Sequence, residues 1–312
     1  MSFSSAIKTE IARIIPEKDH CKKSELSGLI RVGGAIMIGA SMQLHLEMKT
    51  ENAAVARKFL TLAKGAYGIE TEIQVLRKNR LKKNNSYRVK ITDEKSVRMI
   101  LIDLGISDDG FFLHAGVSDE ILNNVCCKRA FIRGLFLGSG SVTDPDYGYH
   151  LEIIFENEEL AKIVVDLLET FELKPKISLR KNYYIVYLKE SEQIVTFLSI
   201  IEAHNALFSY ENTRIQKGMR NQVNRLVNCE TANLNKSIDA AFRQIHNIEI
   251  IDRYIGIDNL PDNLRDVARL RIENPDISIK ELGEMLNPQV GKSGVSHRLR
   301  KLETIAKTYR KK

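Results

Sequence analysis

Apolar positions along this chain recur at two periods, and the switches between them mark out the elements. Phe3, Ile7, Ile11 and Ile14 lie on one side of a predicted helix over Phe3–Ile15, which Pro16 ends. Met42-Gln-Leu-His-Leu-Glu-Met48 alternates apolar and polar, the pattern of a half-buried strand. Ala53–Ala66 returns to the helical period and is closed by Gly65 and Gly68. Glu70–Leu76 and Tyr87–Ile91 read as a hairpin, and Val97–Leu104 as a helix stopped by Gly105. Two stretches fit neither period. Glu25-Leu-Ser-Gly-Leu-Ile-Arg-Val-Gly-Gly-Ala-Ile36 and Phe131-Ile-Arg-Gly-Leu-Phe-Leu-Gly-Ser-Gly-Ser-Val142 are apolar on nearly every side, with glycine and serine in place of bulk. A helix that is hydrophobic all round is buried. Glycine inside it costs about 1 kcal/mol against alanine, and close backbone approach is the usual reason to accept that cost.

The two stretches are copies. Gly28 falls on Gly134, Leu29 on Leu135, Gly34 on Gly140 and Ile36 on Val142, at an offset of 106 residues. The order of elements after each copy repeats too. The second half has a strand at His150–Phe155, a helix at Glu158–Phe171, strands at Lys176–Leu179 and Tyr183–Leu188, and a helix at Glu192–Ala203. Asn85-Ser-Tyr-Arg-Val-Lys-Ile91 takes the place of Asn182-Tyr-Tyr-Ile-Val-Tyr-Leu188. With one weak strand after each glycine helix, each half reads αββαββα. The expected fold is α+β, a duplicated domain whose two glycine helices pack on each other at a pseudo-twofold axis.

From Glu211 to Tyr254 the chain becomes Asn-rich and helical in pattern. Asn221, Asn224, Arg225 and Asn228 share one face, and Ile238, Phe242 and Ile245 form an apolar stripe. That polar face suits either contact with DNA or hydrogen bonding between domains. Residues 262–309 predict three helices. Leu264, Val267, Ala268 and Leu270 face inward on the first, and Leu282 and Leu286 on the second, where Ser278 and Glu281 form a capping box. The third has Ser293 as its cap and Val295, Leu299, Leu302 and Ile305 as its buried stripe. Its other face presents Ser296, His297, Arg300 and Lys301, with Arg298 at the edge. This is a helix-turn-helix pattern in an all-α domain, whose third helix would enter a major groove.

Charge sharpens that picture. The net charge is +7. Residues 1–208 carry 28 basic and 27 acidic groups, and residues 209–312 carry 19 and 13, so the excess is C-terminal. From Lys292 to Lys312 there are eight basic residues and one acid. Cys21, Cys126, Cys127 and Cys229 have no metal-site spacing along the chain, so no metal or cofactor is expected and reduced thiols are. The N-terminus has no signal-peptide layout, and the longest uncharged run, Val32–Leu46, is too short to span a bilayer. A cytoplasmic, nucleoid-associated protein is expected, with no membrane partner.

The repeat over residues 20–208 resembles the LAGLIDADG homing-endonuclease fold, in which two such helices form the central interface and two sheets make a saddle that straddles DNA. In that family the acid just before the last glycine of each motif binds the catalytic metal. Here Gly33 and Ser139 stand at those positions. The nearest downstream acids are Glu47 in one half and Asp144 in the other, which are not symmetric. Joined to a C-terminal helix-turn-helix, the chain resembles the WhiA family. Met219-Arg-Asn-Gln-Val-Asn-Arg-Leu-Val-Asn-Cys-Glu-Thr-Ala-Asn233, Lys236–Gln244 and Gly291-Lys-Ser-Gly-Val-Ser-His-Arg-Leu-Arg-Lys-Leu302 support that resemblance. It implies a DNA-binding regulator tied to sporulation, cell division and chromosome segregation.

The expected organisation is a LAGLIDADG-like domain at 1–208, with repeats over about 20–105 and 126–203, then a linker at 209–221 and a helical, DNA-binding region at 222–312. Double-stranded DNA is the expected partner, with another regulatory protein as a second, and a monomer the expected state. The expected DNA contacts are Ser278, Lys280, Lys292, Ser293, Ser296, His297, Arg298, Arg300 and Lys301. A secondary set comprises Asn221, Asn224, Arg225, Asn228 and the basic loop residues Arg77, Lys78, Arg80, Lys82 and Lys83. Two alternatives stay open: an N-terminal domain that binds a protein or ligand rather than DNA, and an active site-specific endonuclease.

Overall fold

A computed structural model describes residues 2–38, 43–77, 85–110 and 113–310. It divides into two compact units, residues 1–217 and 218–312.

The first unit is built on helices α2 (Asp19–Gly33) and α6 (Val125–Ser139). Glycines bring their backbones together. A Cβ on Gly134 would run into the Glu25 carbonyl oxygen and stand 2.9 Å from Leu29 N. A Cβ on Gly28 would meet the Phe131 carbonyl oxygen and stand 3.1 Å from Leu135 N. The contact is therefore reciprocal, as a twofold requires. Leu26, Leu29, Phe131, Ile132, Leu135 and Phe136 are buried around it.

Each glycine helix leads through a glycine straight into a strand. In the first half β1 (Gly34–Ile38), β2 (Leu44–Thr50), β3 (Glu72–Arg77) and β4 (Asn85–Ile91) form an antiparallel sheet in the order β1-β2-β4-β3. The second half has β5 (Gly140–Val142), β6 (Leu151–Phe155), β7 (Lys176–Arg180) and β8 (Tyr183–Leu188) in the order β5-β6-β8-β7. Helices α3 (Ala53–Tyr67) and α4 (Glu94–Asp103) serve the first sheet, and α7 (Glu158–Glu169) and α8 (Ser191–Ile200) the second. The αββαββα order thus holds in both halves. Asn52 and Asn157 cap α3 and α7 in the same way, each accepting from the backbone N–H groups two and three residues on. The short α5 (Asp119–Leu122) sits between the halves.

Helix α1 runs Phe3–Ile11 rather than to Ile15. The chain turns away after Ala12, and the Ile14 carbonyl is taken by the Lys58 ammonium. Lys58 is itself buried and pairs with Glu25 at 2.9 Å. Glu25 also receives Arg133 at 3.1 Å, and Arg133 reaches Glu202 at 3.0 Å. This chain of charges lies beside the helix pair.

Helix α9 (His204–Tyr254) is continuous, so the segment 209–221 is helical throughout. Glu10 caps its start, accepting from Asn205 N at 2.7 Å. In the second unit Ile248 and Ile251 of α9 join a core with α10 (Asp262–Glu273), α11 (Ile279–Met285) and α12 (Lys292–Tyr309). The apolar stripe predicted at Ile238, Phe242 and Ile245 is not that core: Phe242 is 68% exposed and Ile238 42%. The helix turns its deeply buried face further along, at Ile248 and Ile251.

Candidate nucleic-acid interface

The helix-turn-helix is set by three local devices. Ser278 and Glu281 form the expected capping box, with Glu281 accepting from Ser278 N at 2.7 Å. Val290 N then donates to Gly283 O at 3.0 Å, folding the turn back on α11. A Cβ at residue 283 would strike the Val290 carbonyl oxygen, so this approach needs glycine. Finally Arg271, buried in α10, donates to Ile277 O at 2.8 Å and lies within 3.5 Å of the Asn274 and Pro275 carbonyls. Burial pushes its pKa down; the carbonyls take up the N–H groups of one terminal nitrogen, while Nε is buried without a partner among the described residues. The predicted inward residue Leu270 is only half-buried; its neighbour Arg271 fills that place.

Helix α12 buries Val295, Leu299, Leu302 and Ala306. Ile305 is half-buried, because the stripe advances by four, three and four residues and so ends on Ala306. The helix begins two residues earlier than expected. Gly291 is its cap and accepts from Val295 N at 3.1 Å, which makes Ser293 an interior residue and not the cap. Away from the core, Ser293, His297, Arg300, Lys301 and Thr304 are all exposed. Lys292 is exposed at the start. Ser296 and Arg298 are half-buried on the two flanks of that face. Ser296 and Arg300 line a groove shared with Arg243 and Gln244 of α9 and with Glu303. On α11, Ser278 is exposed but engaged in capping, and Lys280 is exposed and 3.7 Å from Glu284. The face is therefore polar, cationic and open, on a helix fixed from behind by four apolar side chains.

Of the secondary set, Asn221, Asn224, Arg225 and Asn228 are exposed on α9. Arg77 closes β3, paired with Asn85. Lys78, Arg80, Lys82 and Lys83 lie outside the described residues.

In the first unit, each sheet turns one face inward and the other outward. Along β2, Leu44, Leu46 and Met48 are in the core, and His45, Glu47 and Lys49 take the opposite face. Glu47 meets Lys49 at 3.0 Å, Arg88 at 3.1 Å and Lys90 at 3.6 Å. Burial alone would raise its carboxyl pKa, but Lys49, Arg88 and Lys90 outweigh that and hold it below the ordinary value. Glu47 stands opposite Ala35, and Glu152 stands opposite Ser141, the same register position in the other half. The symmetric partner of Glu47 is thus Glu152 and not Asp144, whose carboxylate accepts from Asp146 N in a turn. Glu152 has Ser141 at 3.3 Å and His150 at 3.1 Å.

Three family models fall on the chain: the WhiA N-terminal LAGLIDADG-like domain on residues 19–107, the WhiA LAGLIDADG-like domain on 128–220, and the WhiA C-terminal HTH domain on 223–306. A protein of Alkaliphilus metalliredigens named "Probable cell division protein WhiA" is 50% identical over 309 residues, 98% of each chain. The chain belongs to the WhiA family. A relative of the same name from Heliobacterium modesticaldum is 52% identical, covering 99% of this chain and 97% of its own. The crystal structure of full-length WhiA from Thermatoga maritima is similar at 27% identity, with a TM-score of 0.60 over 99% of both chains. No helix of the described residues is long and apolar enough to cross a membrane.

Within this WhiA-family fold, Gly33 and Ser139 stand where a nuclease metal would need its acids, as the last residues of α2 and α6. Glycine offers no side-chain ligand and serine only a hydroxyl. A hard cation for phosphodiester hydrolysis needs carboxylate oxygens. Glu47 is committed to three cations, and Glu152 to a hydroxyl and an imidazole. The donor set does not fit such a centre, and no cleavage step follows from it.

Sequence reasoning missed Thr304, Arg271 and the Glu47–Glu152 equivalence. Helical spacing from Arg300 signals Thr304. Strand register, which decides the carboxylate pair, is not visible in spacing along the chain.

Proposed function

We propose that the protein is a non-enzymatic, sequence-specific regulator that binds double-stranded DNA as a monomer through α12. The observation that carries this reading is the exposed row Ser293, His297, Arg300, Lys301 and Thr304 on a helix anchored by Val295, Leu299, Leu302 and Ala306. A helix so held can enter a major groove, where arginine suits the guanine edge and lysine the phosphates. The lack of carboxylates at Gly33 and Ser139 supports a binding role without cleavage. The names of the relatives point to control of cell division, and the family resemblance extends this to chromosome segregation and sporulation, in the cytoplasm at the nucleoid.

The test is a set of titrations at several salt concentrations on specific and scrambled duplexes. Arg300→Ala should cost about 1–3 kcal/mol on the preferred site and relax specificity. Lys301→Ala should weaken both duplexes alike and lower the salt slope by about one. Equal loss on both duplexes for both variants would make α12 an electrostatic anchor only. Retained metal-dependent nicking in highly purified protein would refute the non-enzymatic reading.

A second reading concerns the first unit. Glu47 offsets one of the three cations around it, and Glu152 adds a carboxylate at the equivalent place in the other sheet. With 28 basic against 27 acidic groups over residues 1–208, this unit carries almost no net positive charge to attract phosphates, which favours a protein or ligand partner for it. Charge reversal at Lys176 and Arg180, both exposed on β7, should then leave DNA affinity unchanged.

A further inference from the structure

The first turns of α2 and α6 bring four metal-ligating side chains together. The His20 and Cys21 pair comes from α2, and Cys126 and Cys127 from α6. One ligand atom from each lies within 4.8 Å of all the others. His20 Nδ1 is 3.1 Å from Cys127 Sγ and 3.3 Å from Cys21 Sγ. Cys21 and Cys127 are buried, and His20 and Cys126 close the cluster on the solvent side. We propose that His20, Cys21, Cys126 and Cys127 bind one Zn²⁺ ion in a closed, structural site.

The placement follows the pseudo-twofold. The offset of 106 that overlays the glycine helices puts His20 on Cys126 and Cys21 on Cys127. In both helices these are the second and third residues. Spacing along one chain segment hides such a site, because each helix supplies only half of it.

The donor set selects the metal. Three sulfurs and one imidazole nitrogen form a soft set of four, the Cys₃His set of structural zinc, and no carboxylate is present to favour Mg²⁺, Ca²⁺ or Mn²⁺. Bonds of about 2.3 Å to sulfur and about 2.0–2.1 Å to nitrogen give a tetrahedron with edges of roughly 3.5–3.8 Å. The contacts of 3.1 and 3.3 Å and the outer limit of 4.8 Å bracket those edges, so side-chain adjustment alone can close the site.

The helix ends supply the electrostatics. Neither Lys18 nor Asn124 makes a side-chain cap bond at the start of its helix, unlike Asn52, Asp93 and Asn157. Two uncapped N-termini lie beside the cluster and favour thiolate, against burial and the neighbouring thiols, which push the Cys21 thiol up; the bound cation supplies the rest. Around the cluster, Ser24 Oγ lies 2.8 Å from His20 O and 2.7 Å from Ile121 O, fixing the turn that carries His20. Binding needs no oxidant or reductant: Zn²⁺ displaces three thiol protons to solvent and takes the imidazole lone pair. The ion would join the two halves at the helix ends opposite Gly33 and Ser139.

The test uses the untagged full-length chain purified under reducing conditions. Elemental analysis should find one zinc per chain. After chelation, Co²⁺ should restore one equivalent with thiolate-to-metal absorption and the visible bands of a tetrahedral site. Added Zn²⁺ should raise the Tm of the stripped protein. Cys126→Ser and His20→Ala change surface positions, and circular dichroism will show that they fold. Each should weaken zinc binding by more than the about 10–100-fold typical of second-shell changes, while Cys229→Ser leaves it unaltered. A chain that retains no zinc and whose Tm ignores added Zn²⁺ would overturn the proposal. So would zinc retained undiminished in the folded His20→Ala, Cys126→Ser double variant, or a disulfide among these cysteines in the freshly purified chain.

Discussion

The two halves of the first unit share a backbone and differ in what they attach to it. Their sheets have the same strand order, and their central helices meet through reciprocal glycines. At matched helix positions, however, Glu25 faces Phe131 and Ser27 faces Arg133 in the overlay. One half brings a buried carboxylate, and the other brings the guanidinium that satisfies it at 3.1 Å. The helix ends show the same division. Gly105 closes α4 with φ +58°, and Glu202 closes α8 with φ +63°. Glycine takes that left-handed conformation freely, whereas a glutamate is strained there by roughly 1–2 kcal/mol. Glu202 offsets its strain through Arg133 at 3.0 Å. Backbone symmetry is therefore kept by shape, and polar partners are shared out between the halves.

The largest effect should come from dividing that polar pair. Glu25→Ala would leave Lys58 and part of Arg133 buried without a carboxylate, at a cost of about 3–5 kcal/mol. Phe131→Ala at the matched position should cost a similar amount, about 3–5 kcal/mol, through a cavity. Adding Lys58→Met should recover part of the first loss and none of the second. Urea titrations of the four variants check this, and equal behaviour would erase the distinction between the halves.

Next come the shared glycines. Gly28→Leu and Gly134→Leu should each cost at least about 1–3 kcal/mol, because both side chains would meet backbone and not a movable side chain. Thermal melts should show matched losses; a large loss at only one would mean that the twofold contact is not reciprocal.

The smallest effect is at Glu172, exposed with φ +61° after α7, where the first half has Gly68 at φ +68°. Glu172→Gly should gain under about 1 kcal/mol, relief of strain being partly offset by a freer unfolded chain. Glu202→Gly should gain less, since it also gives up Arg133.

Much of this architecture was legible in the sequence. The duplication showed because Gly28 and Gly134 must both be small, and small residues at matched positions survive as a pattern. The capping box at Ser278 and the stripe Val295, Leu299 and Leu302 showed because local geometry dictates them. Contacts between distant segments did not show. The Glu47–Glu152 equivalence depends on strand register, and the His20–Cys127 cluster on two helix ends meeting in space. The start of α12 at Lys292 was hidden because Gly291 and Ser293 are both acceptable caps on residue type.

The reciprocal glycine contact also constrains how the chain can fold. It joins residues 103 to 109 positions apart, so the central interface closes a long loop before it returns any burial. Until α6 is made, the face of α2 at Gly28 and Leu29 lacks the helix that packs on it. During synthesis the first half would therefore wait, incompletely packed, for the second. A chain cut after residue 110 should be expanded and protease-sensitive at a temperature where the intact protein is native, although it contains every strand of its own sheet.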